Sequence, residues 1–207
     1  MAIRLGIFGG TFDPPHLAHL ILAGEAAYQL RLDRVLWVLT ADPPHKENLV
    51  VSPWEQRQAL VQAAIKEDPI FELSRVDLDR PPPHFAFETV RLLHARHPGA
   101  TLIYLMGGDS LHDLPTWKLP DVFISESDTI GVMRRPGDML NLDALERQLP
   151  GLTEKVVFMD APLVAISASD IRRRVANGEP VRYFLPPAVY QLIIRQGWYG
   201  YRGVNLI

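Results

Sequence analysis

Residues 3–19 read IRLGIFGGTFDPPHLAH, an apolar run that ends in two glycines and is followed, after Asp-Pro-Pro, by two histidines. The apolar residues at 3–8 predict a buried strand. Pro14 and Pro15 predict that a helix begins directly after them. The glycines allow the backbone to approach a ligand, and the exposed N–H groups at a helix N-terminus attract anions. This stretch therefore predicts a strand–turn–helix unit whose turn holds an anion.

Two histidines stand at the beginning of the predicted helix. His16 and His19 are three residues apart, so both side chains project from one side of its first turn. An imidazole donates hydrogen bonds to phosphate oxygens either as the neutral ring or as the cation. Taken alone, a pair at this spacing is more often incidental or part of a metal site. Beside the glycine turn, it indicates phosphate binding.

The rest of the chain alternates apolar, β-branched runs with longer segments of helical periodicity. This pattern is typical of βαβ units and a parallel sheet. We expect strands at 3–8, 35–39, 70–73, 101–106, 129–133 and 155–158, and helices near 17–30, 53–66, 85–97 and 141–149, with two more after the last strand. The predicted fold is α/β, a Rossmann-like, doubly wound parallel sheet with helices on both faces and a C-terminal helical extension. Residues 1–207 should form one domain, with a core at about 1–160 and a helical part at about 161–207.

Capping residues mark the ends of several helices. Ser52-Pro53-Trp54-Glu55 combines an N-cap serine, a proline at the first helical position and a glutamate three residues after the cap. Ser167 and Asp170 repeat the Ser-x-x-acid pattern in a helix that Asn177-Gly178 should end, and Gly197 should end the last helix. Ligands of open parallel sheets bind beyond the carboxyl ends of the strands. The loops after strands one, two and four are therefore the predicted site.

A second polar motif lies far along the chain. Ile166-Ser167-Ala168-Ser169-Asp170-Ile171-Arg172 brings two hydroxyls to a helix N-terminus and places Arg172 three residues after Ser169. These donors suit a polyphosphate. The alternative is a simple capping box followed by solvated arginines at 172–174. The first motif favours the phosphate interpretation, in which the two stretches converge on one triphosphate.

Composition excludes several classes of chemistry. The 207 residues include no cysteine, which rules out disulfides, cysteine-bound zinc and thiol nucleophiles. With 24 acidic and 21 basic residues the formal net charge is −3, so no overall positive charge favours nucleic acid or an anionic membrane as a partner. No apolar run reaches the ~18 residues of a membrane span, and the N-terminus reads as a strand without a signal-peptide h-region. We expect a cytoplasmic protein, and a homo-oligomer remains open.

Both motifs resemble known signatures. Residues 9–19 resemble the HxGH signature of the nucleotidyltransferase superfamily, and residues 166–172 resemble its ISSTxIR signature. Their spacing and the segments between them are similar to the bacterial nicotinate mononucleotide adenylyltransferase family over essentially the whole chain. Further matches to this family are PPHK at 43–46, Thr89, GGDSL at 107–111, Trp117, RPG at 135–137 and LPPAV at 185–189. Departures from the family pattern are Ala18, Gly108, Ala168 and His84-Phe85-Ala86, the last standing where a small residue, Tyr and Thr are usual.

The resemblance implies a reaction and a set of contacts. The family transfers the adenylyl group of ATP to nicotinate mononucleotide, which gives nicotinate adenine dinucleotide and pyrophosphate. The implied catalytic residues are Thr11, His16, His19 and Arg172. The implied ATP-binding residues are Gly9, Gly10, Thr11, Phe12, His16, His19, Gly107, Asp109, Ile166, Ser167, Ser169 and Arg172. The implied contacts of the mononucleotide are Thr40, Lys46, Phe85, Thr89, Asp109, Trp117 and Arg135.

Such a reaction needs neither a protein nucleophile nor a strong base, because the attacking phosphate is already ionised at neutral pH. It needs groups that hold two polyanions together and stabilise charge at phosphorus. Mg²⁺ is expected to arrive with ATP, since this cation prefers phosphate oxygens and water to a protein cage. The sequence shows no clustered carboxylates, so no dedicated metal site is expected.

Several assignments have a second interpretation. Lys46 is equally well a solvated loop lysine, Asp109 a helix N-cap and Trp117 a packing anchor. The alternative functions are an adenylyltransferase for phosphopantetheine or one that prefers nicotinamide mononucleotide, a cytidylyltransferase, a class I aminoacyl-tRNA synthetase, and a nucleotide sensor without turnover. PPHK and the segment 111–137 argue against phosphopantetheine, and the chain has no room for an anticodon-binding domain. The intact histidines argue against the sensor.

Overall fold

A six-stranded parallel sheet forms the centre of the computed structural model, which describes residues 2–40, 51–134 and 140–203. The strands are β1 (Arg4–Gly10), β2 (Arg34–Leu39), β3 (Phe71–Ser74), β4 (Thr101–Gly107), β5 (Thr129–Arg134) and β6 (Val156–Asp160). Neighbouring strands all pair in parallel. The predicted α/β class and parallel sheet are confirmed, and each strand lies where an apolar, β-branched run predicted it.

The order of the strands across the sheet is β3-β2-β1-β4-β5-β6. From β1 the chain runs outward to β3, returns to the centre, and runs outward on the other side from β4. The connections after β1 and β4 therefore leave in opposite directions and open a crevice beyond the carboxyl ends of these strands. β1 continues to Gly10 and β4 to Gly107, past the predicted ends at residues 8 and 106, so glycines of two motifs lie at the crevice.

Helices connect the strands and continue the chain after β6. They are α1 (Leu17–Gln29), α2 (Trp54–Ile65), α3 (Ala86–Arg96), α4 (Gly108–His112), α5 (Pro120–Glu126), α6 (Leu142–Gln148), α7 (Leu152–Lys155), α8 (Ala168–Asn177) and α9 (Pro187–Gln196). The sequence did not predict α4, α5 or α7, and the start of the segment after β4, expected as a loop, is helical. These helices are too short to show an apolar period. None of the described helices is long and apolar enough to cross a membrane.

Alternate residues of the strands face two separate cores. Ile7 of β1 faces a core completed by α3, α5 and α6. Phe8, the next residue, faces a core completed by α1 and α2, as does Trp37 of β2. Helices therefore cover both faces, as the doubly wound interpretation predicts.

The C-terminal helices pack on α2 instead of on the sheet. Ile171 of α8 and Val189 of α9 belong to a third core together with Leu60, which lies on α2. Val61, the next residue of α2, belongs to the core beneath the sheet. Helix α2 is thus the partner that holds the predicted C-terminal helical extension.

The ends of α8 and α9 confirm the predicted caps. At the start of α8, the Ser167 hydroxyl accepts a hydrogen bond from the Asp170 backbone N–H at 3.1 Å. Gly178 and Gly197 have φ angles of 72° and 65° and follow the last turns of α8 and α9. Left-handed backbone of this kind is most accessible to glycine, which explains both terminators.

The predicted N-cap of α2 was wrong. Pro53 occupies the N-cap position and the helix begins at Trp54. The backbone of Ser52 is instead held from two sides, because its N–H donates to Asp13 Oδ2 at 3.1 Å and its carbonyl accepts from Arg57 Nε at 2.9 Å. These tertiary contacts override the local capping preference of the serine.

Candidate active site

Residues 9–16, which are the end of β1 and the connection to α1, lie at the crevice and are called the glycine loop below. Phe12 has a left-handed φ of 48° and a buried ring. A Cβ at Gly10 would come within 2.7 Å of that ring, so packing within the protein requires glycine there. A Cβ at Gly9 would meet nothing closer than Tyr104 Oη at 3.5 Å. Gly9 is therefore the glycine that leaves room for a ligand.

The two histidines lie side by side at the start of α1. Their ring centroids are 3.8 Å apart, and the rings are inclined by 30°. The His16 backbone N–H donates to His19 Nδ1 at 3.2 Å. A ring nitrogen that accepts a hydrogen bond carries no hydrogen, so neutral His19 has its hydrogen on Nε2. This contact fixes the tautomer of His19 and makes Nε2 a donor.

Both histidines are neutral at pH 7. Burial lowers the pKa of His16 to about 4. Burial, with the neighbouring His16 as a second cause, lowers the pKa of His19 well below its usual 6.5. Of the two forms that the sequence left open, the neutral ring is the one the structure favours. The pair offers hydrogen-bond donors whose state does not change near neutral pH.

A buried arginine supports the glycine loop from α2. Besides its bond to Ser52, Arg57 donates from Nη1 to the carbonyls of Thr11 and Thr40 at 3.0 and 2.8 Å. Burying a guanidinium costs several kcal/mol unless acceptors bind its N–H groups. The two carbonyls therefore stabilise the buried charge of Arg57, and the charge in turn holds the carbonyls in place. Arg57 thereby fixes the loops after β1 and β2 relative to one another.

The C-terminal motif returns to the glycine loop through α8. Arg172 Nη1 donates to the main-chain carbonyl of Asp13 at 2.6 Å. The hydroxyls of Ser167 and Ser169 lie 3.2 Å apart at the N-terminus of the same helix. The structure therefore brings the two predicted motifs together.

The three consecutive arginines of α8 have different partners. Arg173 and Arg174 pair with Asp170 at 2.6 and 2.7 Å. Arg172 instead reaches the glycine loop. The solvated-arginine alternative thus describes Arg173, whose side chain is 51% exposed, but not Arg172 or Arg174, at 31% and 29%.

A cavity of about 440 Å³ lies between the glycine loop and the N-terminus of α8, and we call it the histidine cavity. The predicted ATP-binding residues in its walls are Gly9, Thr11, Phe12, His16, His19, Gly107, Asp109, Ile166, Ser167 and Arg172. Gly10 lines the neighbouring cavity instead, and Ser169 reaches this one only through its contact with Ser167. The cavity joins neutral donors, hydroxyls and a guanidinium, a combination that suits a polyphosphate.

A second cavity, of about 590 Å³, lies on the other side of the glycine loop and is called the aromatic cavity. The predicted mononucleotide contacts in its walls are Thr40, Phe85, Thr89 and Trp117. The half-buried Trp117 ring lies edge-on to Tyr104, with centroids 6.2 Å apart, and 5.3 Å from Phe123. Trp117 is therefore a packing anchor that also forms part of the cavity wall, and its contact with a pyridine ring stays a prediction.

A buried polar cluster forms part of the wall of the aromatic cavity. Asp77 accepts from the Thr89 hydroxyl at 2.8 Å and from Arg80 Nη2 at 3.0 Å. The Thr89 hydroxyl thus donates its hydrogen within the protein, and this bond stabilises the wall of the cavity. Burial and the charge of Asp77 raise the pKa of Tyr104, whose phenol stays protonated in the same wall.

The two cavities adjoin along the ends of β1, β4 and β5. The residues that line both are Phe8, Gly9, Thr11, Gly107, Ser110 and Met133. A Cβ at Gly107 would meet no protein atom within 4 Å. Two ligands in these cavities would meet above Gly9 and Gly107, at the point where the strand order reverses.

Other predicted site residues have different outcomes. Lys46 and Arg135 lie outside the described residues. The alternative that Asp109 caps a helix was wrong, because Gly107 is the N-cap of α4 and Asp109 is the second residue of its first turn. Asp109 lines the histidine cavity, not the aromatic one.

Sequence reasoning missed several residues that build the site. Ser110 and Lys118 line the cavities directly beside predicted residues, so the motifs that contain them could have indicated them. Tyr104 and Arg57 carry no such signal. A tyrosine in a strand and an arginine in a helix are ordinary, and only the tertiary structure shows that Arg57 is buried and Tyr104 half-buried at the site.

The strand order, the glycine loop with its histidines and the return of α8 define a nucleotidyltransferase. The sequence model of the cytidylyltransferase-like family matches residues 7–174. The fold is similar to the solved structure of Plasmodium falciparum nicotinic acid mononucleotide adenylyltransferase complexed with NaAD. The TM-score is 0.76 over 97% of this chain and 98% of that chain, at 17% sequence identity.

Curated relatives identify the family within this class. The chain is 44% identical to the "Probable nicotinate-nucleotide adenylyltransferase" of Thermomicrobium roseum, over 95% of this chain and 91% of the relative. It is 41% identical to the protein of the same description from Thermus thermophilus, over 95% of this chain and 100% of the relative. The chain belongs to the nicotinate-nucleotide adenylyltransferase family.

Proposed function

We propose that the protein transfers the adenylyl group of ATP to nicotinate mononucleotide, giving nicotinate adenine dinucleotide and pyrophosphate in NAD biosynthesis. The observation that carries this proposal is the pair of adjoining cavities, one lined by phosphate donors and one by aromatic rings. ATP binds in the histidine cavity, and the pyridine ring binds in the aromatic cavity. The reacting phosphates meet above Gly9.

The chemistry requires little of the protein beyond position and charge. An oxygen of the mononucleotide phosphate attacks the α-phosphorus of ATP, and a new P–O bond forms. The bond from the α-phosphorus to the bridging β-oxygen breaks, and pyrophosphate leaves with its electron pair. Because the attacking oxygen is ionised at neutral pH, no protein base removes a proton. Holding two anions in contact and stabilising charge at phosphorus supply the rate enhancement.

The residues of the histidine cavity divide this work. His19 Nε2 donates to the α-phosphate, with His16 and the Thr11 hydroxyl beside it. Arg172, Ser167 and Ser169 bind the β- and γ-phosphates. A guanidinium has five N–H donors, so the bond from Arg172 to Asp13 leaves others for phosphate.

Charged groups outside the two cavities complete the proposal. Lys46 binds the mononucleotide phosphate, and Arg135 contacts a nucleotide after β5. Mg²⁺ arrives with ATP and neutralises charge on its phosphates. Within the described part of the chain, no group of three or more His, Asp or Glu side chains is placed to hold a metal. Because Mg²⁺ prefers phosphate oxygens and water, these are its proposed ligands. The use of ATP suits a cytoplasmic location.

The acceptor is proposed to be the acid form of the mononucleotide. The names of the relatives favour nicotinate, although the aromatic rings of Phe85 and Trp117 would stack on either pyridine. Ala86 and Phe85 remove the two hydroxyls usual in the family, so recognition of the carboxylate rests on backbone N–H groups here. A preference for the amide would contradict this assignment.

One assay tests the function. The protein is incubated with Mg-ATP and, in turn, nicotinate mononucleotide, nicotinamide mononucleotide and phosphopantetheine, and released pyrophosphate is measured. We expect the fastest release with nicotinate mononucleotide and a dinucleotide product identified by mass. Release with none of the three acceptors would favour a nucleotide sensor, and preferential use of phosphopantetheine would refute the proposed acceptor.

A further inference from the structure

A tyrosine near the end of the described chain reaches back to the glycine loop. Tyr199 follows α9 in a short 3₁₀ turn, Trp198–Gly200. Its hydroxyl donates to Asp13 Oδ1 at 2.8 Å, across 186 residues of sequence. Tyr199 itself lines neither cavity. It touches the histidine cavity only through Asp13.

Asp13 is a buried carboxylate in the wall of a cavity that should hold an anion. Only 3% of the Asp13 surface is exposed to solvent. The Tyr199 hydroxyl bonds one carboxylate oxygen, and the Ser52 backbone N–H bonds the other at 3.1 Å. Arg172 Nη1 lies 3.9 Å from Oδ2, beyond hydrogen-bond distance, and bonds the Asp13 carbonyl instead. The hydrogen bonds of the carboxylate therefore come from uncharged donors, and its ion pair with Arg172 is a long one of 3.9 Å.

The backbone of Tyr199 is strained. Its φ of 58° lies in the left-handed region, which costs a residue with a side chain roughly 1–2 kcal/mol. Such a conformation persists only where surrounding contacts impose it. Burial first, then the charge of Asp13 and their hydrogen bond, raise the pKa of the Tyr199 phenol. The hydroxyl consequently stays protonated and remains a donor.

We propose that Tyr199 is a positioning residue for the polyphosphate, because its hydroxyl holds the Asp13 carboxylate so that Arg172 remains directed to the histidine cavity. The proposal rests on the proposed function in one respect, that the polyphosphate belongs to ATP. The 3₁₀ turn, which lies outside both phosphate motifs, thereby contributes to substrate binding.

Removing the hydroxyl should have a specific effect. Asp13 Oδ1 loses its donor, and a buried carboxylate with an unpaired oxygen favours the nearby cation. Arg172 then forms a full ion pair with Asp13 and withdraws its guanidinium from the phosphates. Asp13, Arg172 and Tyr199 are absent from the described walls of the aromatic cavity, so binding of the mononucleotide should not change.

The test compares Tyr199→Phe with the wild type and with Tyr183→Phe, a matched control because Tyr183 is 76% exposed. The readouts are kcat, the KM of each substrate, the Kd for Mg-ATP by calorimetry without mononucleotide, and thermal unfolding. We expect Tyr199→Phe to raise the KM and Kd for ATP about 10-fold, with an unchanged KM for the mononucleotide. Adding Asp13→Asn should return the ATP affinity towards the wild-type value, because a neutral amide does not capture Arg172.

Two results would overturn the proposal. One is that Tyr199→Phe binds ATP with wild-type affinity. This includes the case in which kcat and the fraction of folded protein both decrease while the KM for ATP stays the same. The other is a double variant no better than Tyr199→Phe. A wild-type protein that binds Mg-ATP but releases no pyrophosphate with nicotinate mononucleotide would refute the proposed reaction, and calorimetry would still decide the role of Tyr199.

Discussion

The histidine cavity and the aromatic cavity share a boundary but are built in different ways. The first takes its donors from two short segments, the glycine loop with the first turn of α1 and the N-terminus of α8, each set by local backbone geometry. The second takes its walls from β2, α3, β4 and the turn around Trp117, and its polar groups are bonded mainly to one another. The candidate phosphate donors are thus placed by local sequence, whereas the shape of the second cavity depends on tertiary packing.

This difference has a consequence for substitutions. In the histidine cavity, a single side chain carries a donor that no neighbour replaces. In the aromatic cavity, neighbouring rings compensate in part for a lost one, as Tyr104 and Phe123 already contact Trp117. We therefore expect large, specific effects on turnover from the first cavity and smaller effects on affinity from the second.

The largest effect is expected from His19→Ala. Loss of one preorganised donor to a reacting phosphate costs ~10²–10³ in rate. We expect kcat to fall by that factor with little change in the KM of the mononucleotide, measured by pyrophosphate release. His97→Ala, at the end of α3, serves as a control with wild-type turnover. If His19→Ala keeps full activity, His19 takes no part in the reaction, and the expected difference between the two cavities is refuted.

Arg57→Met should affect both cavities at once. It removes the charge that holds the carbonyls of Thr11 and Thr40, one in each adjoining loop, and leaves these half-buried carbonyls without that donor. We expect a loss of about 3 kcal/mol in the free energy of unfolding, measured with denaturant, and a rise in the KM of both substrates. Arg195→Met, an exposed change of the same kind, should stay near wild type. A rise confined to one substrate would show that the cavities do not share this support.

The contrast also explains how much the sequence could predict. Apolar runs predicted the strands, and capping residues predicted the ends of α8 and α9. The convergence of residues 9–19 and 166–172 was predicted from the family resemblance and from the rule that ligands bind beyond the carboxyl ends of parallel strands. These features depend on neighbours in sequence. Ser52 shows the limit, because its cap was displaced by contacts with Asp13 and Arg57 that no local pattern contains.

The aromatic cavity shows the same limit more strongly. The sequence predicted a ligand contact for Thr89 but not the bond of its hydroxyl to Asp77, in a cluster that forms only when α3 packs beside the turn before it. Tyr104 was not predicted at all. Helices α4 and α5, which position Trp117 between them, are too short for periodicity to reveal. Burial, not residue type, decides these roles, and burial follows from tertiary structure.

Trp117→Ala should change affinity rather than turnover. The loss of a stacking surface worth about 1 kcal/mol or slightly more should raise the KM of the mononucleotide roughly 10-fold and leave the KM of ATP unchanged. Trp117→Phe keeps an aromatic ring and should show a smaller rise, and Trp54→Ala on the outer surface of α2 should show none. Steady-state kinetics with each substrate varied decide this. Equal shifts for both substrates would mean that the ring acts on the whole fold, against a separate aromatic cavity.

The smallest effect is expected from pH and concerns the histidine cavity alone. The folded pKa of His16 is about 4, below the 6.5 of an unfolded histidine. Above pH 6.5 the ring is neutral in both states and contributes no pH dependence. Between pH 6.5 and pH 4 only the unfolded chain binds the proton, so the free energy of unfolding falls as the pH decreases. Between about pH 7.5 and about pH 5.5, the free energy of unfolding of the wild type should fall by about 1 kcal/mol more than that of His16→Gln.

Denaturant titrations of both proteins at about pH 7.5 and about pH 5.5 measure this difference. If His16→Gln loses as much stability as the wild type, the His16 ring is protonated in the folded protein. A protonated His16 would place a cation beside His19, and the phosphate donors would then differ from the neutral pair that distinguishes this cavity from its neighbour.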